Sequence, residues 1–109
     1  MKMEQVPSKV IAWESLPVTE MPGETGMAKV RTAQSGELYL RRITFSPGYR
    51  SDHWCAKGHL ALVLEGSLSI EFQDGRSFEV AAGSSFQIGD GDGLHRAWTR
   101  DGAEIFIVD

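Results

Sequence analysis

Apolar and polar positions alternate along much of this chain with a period of two. Ser67-Leu68-Ser69-Ile70-Glu71-Phe72 is the clearest case. Side chains at i, i+2 and i+4 of an extended strand share a face, so this run predicts a strand with one face in water. Leu60-Ala61-Leu62-Val63-Leu64 and Ile105-Phe106-Ile107-Val108 are apolar at every position, which predicts strands with both faces out of water. From about Met27 onward, short β-branched and aromatic runs are separated by Gly, Asp and Ser at intervals of roughly eight to twelve residues, the rhythm of an all-β sandwich or barrel. The candidate strands are Ala28–Ala33, Glu37–Phe45, Asp52–Cys55, His59–Leu64, Ser67–Phe72, Ser77–Val80, Ser85–Ile88, His95–Thr99 and Glu104–Val108. Asp74-Gly75 predicts a tight type I′ hairpin, because Gly takes positive φ without steric cost.

No helix-period stretch competes, and the expected fold class is all-β, a small antiparallel β-barrel or jelly roll spanning residues 28–109. Residues 1–27, with Pro7, Pro17 and Pro22, read as an irregular N-terminal arm. The doubly apolar strands need a cover that so small a barrel does not supply from within. A homodimer is expected, with the arm exchanged between partners or not; the alternative is an arm that closes its own sheet.

The length of 109 residues suits one domain. A net charge of −4, with 11 basic residues scattered along the chain, argues against nucleic-acid binding. The start of the chain lacks the apolar run of a signal peptide, and no apolar stretch approaches the roughly 20 residues of a bilayer span, so a soluble, cytoplasmic protein without membrane association is expected. Cys55 is the single cysteine, which excludes an intrachain disulfide and leaves packing, metal ligation or thiol chemistry open.

Cys55 lies in the most chemically dense stretch, Ser51-Asp52-His53-Trp54-Cys55-Ala56-Lys57-Gly58-His59. On a regular strand His53 and Cys55 project together while Asp52 and Trp54 point the other way. The turn Ala56-Lys57-Gly58 returns the chain and brings His59 toward them. Tyr39 and Arg41 share a face by the same parity, and an inward guanidinium there would bind a carboxylate or phosphate, against the alternative of plain surface exposure. Asp90-Gly91-Asp92-Gly93 lacks the later acidic ligand of a calcium loop and reads as a barrel rim.

Two longer patterns resemble the cupins, proteins built on a double-stranded β-helix. Pro47-Gly48, His53-x-Cys55, His59 and Gly66 follow nearly the spacing of the first cupin motif, with Cys55 standing where that motif has a second histidine and His59 where it has glutamate. Gly83, Phe86-Gln87-Ile88, Gly89-Asp90-Gly91-Asp92-Gly93 and His95 match the second, without its usual proline. More narrowly, Asp52-His53-Trp54-Cys55 and the closing Phe106-Ile107-Val108-Asp109 resemble the small single-domain DHCW-motif cupins. The resemblance implies that His95 joins His53, Cys55 and His59 at the barrel mouth. Three imidazoles and a thiolate suit zinc first, with nickel or iron admissible, and do not suit Mg²⁺ or Ca²⁺. The implied function is a metal-binding protein that takes a small polar or anionic molecule at the mouth, with catalysis open. The alternative is a non-enzymatic ligand- or redox-sensing domain whose metal is structural or absent. The number of protein ligands separates the two, since a closed set of four leaves no place for a substrate.

Overall fold

A computed structural model of the chain describes residues 3–109. Among these residues eight strands follow a 3-10 turn at Trp13–Ser15: β1 (Thr19–Pro22), β2 (Met27–Ser35), β3 (Leu38–Phe45), β4 (His59–Phe72), β5 (Ser77–Ala81), β6 (Ser85–Ile88), β7 (His95–Trp98) and β8 (Ala103–Val108). All of their pairings are antiparallel. One sheet runs β1, β2, β3, β8 and then the first half of β4, with β6 beyond it. The second half of β4 pairs with β5 on one side and β7 on the other. The result is the all-β, two-sheet roll that the alternation predicts.

The two expected strands His59–Leu64 and Ser67–Phe72 are therefore one bent strand. Its inward residues are Ala61 and Val63 before the bend and Leu68, Ile70 and Phe72 after it, all buried. Odd positions give way to even ones, which a regular strand cannot do. The register slips between Val63 and Glu65, and this β-bulge turns the second apolar set back toward the same core. Val63, Leu68 and Ile105, no more than 2% exposed, lie at the centre.

Three local expectations are corrected. The arm is not wholly irregular: Thr19–Pro22 form β1, an edge strand on β2, with Pro22 at its end, where a missing N–H costs no ladder bond. Asp74-Gly75 does lie in the β4–β5 hairpin, but the Gly75 amide donates to the Phe72 carbonyl, and Gly75 has positive φ whereas Asp74 does not. Gly75 thus follows the turn rather than occupying its centre, the three-residue arrangement with a glycine bulge, not type I′. Asp52–Cys55 is not a strand, for the reason given below.

The outer face of the doubly apolar strands is only partly covered within one chain. Trp13 packs edge-on against Phe106, ring centroids 6.1 Å apart, and the Trp13 carbonyl accepts a hydrogen bond from Arg31 Nη1 at 2.8 Å. Leu60, Leu62 and Leu64 stay 37 to 46% exposed.

Gly66 occupies the bend at φ +73°, where an added Cβ would sit 2.2 Å from the Gly102 carbonyl oxygen. Gly75 has φ +100° with nothing within 4 Å of such a Cβ. Both Gly→Ala changes incur the backbone cost of about 1–3 kcal/mol, but only Gly66→Ala must also displace the start of β8. Denaturant unfolding should show the larger loss for Gly66→Ala; equal losses would mean that the bend does not depend on this close approach.

Candidate metal centre at the barrel mouth

Cys55 and His95 meet because their backbones form a bridge, the Cys55 amide donating to the His95 carbonyl at 2.8 Å and the His95 amide to the Cys55 carbonyl at 3.0 Å. Residues opposite one another in an antiparallel pair present their side chains on the same face. His59 opens β4 and lies beside them, its approach fixed by the Gly58 amide, which donates to Asp90 Oδ1 at 2.7 Å. Cys55 Sγ, one nitrogen of His59 and one of His95 lie within 4.8 Å of one another. The Cys55 Sγ to His59 Nε2 separation is 3.7 Å. Tetrahedral zinc, with Zn–N near 2.0 Å and Zn–S near 2.3 Å, sets its donors about 3.3–3.6 Å apart, so modest side-chain adjustment would close the set.

The protons on both rings are placed for ligation. His95 Nδ1 faces the Gly93 carbonyl at 3.1 Å, and a carbonyl only accepts, so in the neutral ring Nδ1 carries the proton and Nε2 has the lone pair. His95 is 3% exposed, and its Nε2 is buried without a hydrogen-bond partner among the described residues. His59 Nδ1 donates to Asp109 Oδ2 at 2.9 Å, which likewise turns its Nε2 lone pair toward Cys55. Burial lowers the pKa of His59 from its ordinary 6.5, against the opposing pull of the Asp109 carboxylate, and so favours the neutral imidazole that a metal needs. The Lys57 amide lies 3.4 Å from Cys55 Sγ as a donor to sulfur.

The structure brings together three of the four expected donors. His53 is not in the cluster: its side chain is 70% exposed, and its Nδ1 lies 2.7 Å from Asp52 Oδ1. The cause is a local excess of chain. Arg50 bridges Trp98 and Cys55 bridges His95, so five steps of one segment face three of the other. The intervening residues bulge; His53 still lines the same cavity as Cys55, but its ring stays exposed and pairs with Asp52 instead of joining the cluster. Trp54 keeps its expected outward side, with the Arg96 guanidinium 4.5 Å above its ring.

Arg41 lines the cavity, with Nη2 2.7 Å from Asp109 Oδ2 and Nε buried without an acceptor among the described residues. Tyr39, one row further out, is 39% exposed, and the Lys57 ammonium lies 5.3 Å from its ring centroid. Asp109 is the site residue that sequence reasoning does not single out. Its side chain is 4% exposed and accepts from both Arg41 and His59, with Lys57 Nζ 3.8 Å from its other oxygen. The available signal is a carboxylate directly after the apolar run of β8. Beneath the cluster the barrel holds a cavity of about 200 Å³ with mostly apolar walls.

No family model and no curated protein sequence matches the chain. Among solved structures, ectoine synthase from P. lautus superposes with a TM-score of 0.74 at 15% identity over 93% of this chain and 76% of that one. A cupin-superfamily sugar phosphate isomerase from Silicibacter pomeroyi gives a TM-score of 0.70 at 15% identity, over 92% and 74%. A cupin-2 domain protein from Shewanella frigidimarina gives 0.61 at 20% identity, over 73% and 78%. At these identities the likeness speaks for the fold, and the fold of this chain is a cupin.

Proposed function

We propose that the protein binds a transition-metal ion, zinc first with nickel or iron admissible, through Cys55, His59 and His95, and takes a small polar or anionic molecule at the barrel mouth. The observation that carries this reading is the His95 Nε2, buried and without a partner among the described residues while Nδ1 faces the Gly93 carbonyl. A buried polar atom left unpaired is costly, and a metal shared with a thiolate and a second imidazole would satisfy it. Soft and borderline ions suit that donor set. When bound, such an ion acts as a Lewis acid toward an oxygen of its ligand. Arg41 balances the Asp109 carboxylate, and Asp109 holds the proton of His59 on Nδ1.

Three protein donors leave a fourth tetrahedral position for water or a small molecule. The sensing alternative requires a closed site, for which His53 is the remaining histidine. Membership of the DHCW-motif group and a cytoplasmic location belong to the same proposal; among the described residues no helix is long and apolar enough to cross a membrane. So does a homodimer, in which a second copy would cover Leu60, Leu62 and Leu64 by placing the same row of leucines against them.

Elemental analysis after reconstitution tests the metal. About one equivalent is expected in wild type and in His53→Ala, with loss in Cys55→Ser and His95→Ala; loss in His53→Ala as well would favour the closed, sensing site. Wild-type protein that stays empty would overturn the reading. Asp109→Asn removes the charge that orients His59 and should weaken metal affinity about 10- to 100-fold in competition titrations while the variant stays folded. Sedimentation should give a dimer for wild type and a monomer for Leu62→Glu; a wild-type monomer at all concentrations would remove the homodimer.

A further inference from the structure

The polarity of the lumen points to a narrower ligand class. Strand register orders its walls by depth. Arg41, paired with Ile107, forms the row at the mouth; Ile43, with Val30 and Ile105, forms the next; Phe45, with Ala28 and Ala103, lies deeper. Arg41 and the three metal donors stand at one end; the strand rows beyond them are mostly hydrocarbon, broken by Tyr49 against Phe45 and, on the bulged side, by Ser51, His53 and Arg96. Hydroxyls placed against those rows would lose their water without replacement, which costs far more than a methylene gains. A polyhydroxylated or doubly charged molecule fits the mouth and not the lumen.

Charge selects the head. With a divalent ion bound as proposed above, the Cys55 thiolate, the Asp109 carboxylate and the Arg41 guanidinium would leave the mouth positive, and Lys57 Nζ, 3.8 Å from Asp109 Oδ1, adds to that. Buried charge requires a partner. Resting on the metal-binding reading above, we propose that the natural ligand is an amphipathic monoanion. A carboxylate-type head takes the open metal position beside Arg41, which lines the cavity, and an apolar body fills the barrel.

Calorimetric titration of acetate, butanoate, hexanoate, succinate and hexan-1-ol into zinc-loaded and metal-free protein tests this. In loaded protein each added methylene should tighten carboxylate binding about four-fold until the lumen is full. Succinate and hexan-1-ol should bind at least ten-fold more weakly than hexanoate, and Ile43→Phe, which narrows the lumen, should flatten the length dependence without weakening acetate. If zinc binds but affinity is flat with chain length, or succinate equals hexanoate, the ligand class is overturned while the metal reading stands. If zinc fails to bind yet metal-free protein shows the length dependence, the ligand class is upheld with Arg41 holding the head, and the metal reading falls. Absence of carboxylate binding in both forms overturns the proposal.

Discussion

Both sheets and the mouth between them depend on the bend of β4. Each half of that strand must bury its apolar face in one core, yet Val63 and Leu68 are five positions apart, an odd separation that regular pleating sends to opposite faces. The bulge between Val63 and Glu65 removes the conflict, and the left-handed Gly66 permits it against the Gly102 carbonyl. The same bend assembles the site. At about 3.3 Å per residue, a straight strand of this length would hold its ends roughly 40 Å apart. His59 begins β4, and His95 pairs with Phe72 at its end, but the His59 and His95 ring centroids are 5.2 Å apart. Folding the strand on itself delivers both of its ends to one rim.

At that rim the organising charge is a carboxylate rather than a histidine. Asp109 is almost fully shielded from water, a placement that an unpaired carboxylate would not tolerate. Arg41 neutralises it from β3, 68 residues away in sequence, and the remaining hydrogen-bond capacity fixes the tautomer of His59. Burial depresses protonation of that imidazole while the carboxylate opposes the effect. The ring therefore stays neutral without becoming mobile, a combination that neither burial nor ion pairing supplies alone.

What could be read from the chain follows the range of the forces involved. Pleat parity is local, so the candidate strands fall close to β2, β3, β5, β6, β7 and β8. The break between His59–Leu64 and Ser67–Phe72 looks like a turn in sequence, because a glycine flanked by two apolar runs marks a bulge and a loop alike; the β8 partner decides between them. β1 was hidden among prolines, since an edge strand on β2 has little pattern of its own. Cys55, His59 and His95 were legible through cupin spacing, whereas the Arg41–Asp109 contact is a tertiary event without a local signature. The separation of His53 from Cys55 has a similar origin: the excess of residues that makes the bulge is visible only once β7 is placed opposite.

That bulge also explains how a segment with few ladder bonds holds a metal donor in position. Between Ser51, whose amide reaches the Ala97 carbonyl, and Cys55, whose amide reaches the His95 carbonyl, outward side chains take over. Glu71 accepts from Arg96 Nε at 2.5 Å and from Arg50 Nη1 at 2.8 Å, while Arg96 stacks on Trp54 and Arg50 on Trp98. Charge-assisted hydrogen bonds and guanidinium–aromatic contacts of this kind stabilise what backbone pairing does not. Trp54 and Cys55 thus divide the work across neighbouring positions: the tryptophan anchors the bulged segment to the outside of β7, and that anchorage keeps the thiol facing the imidazoles within.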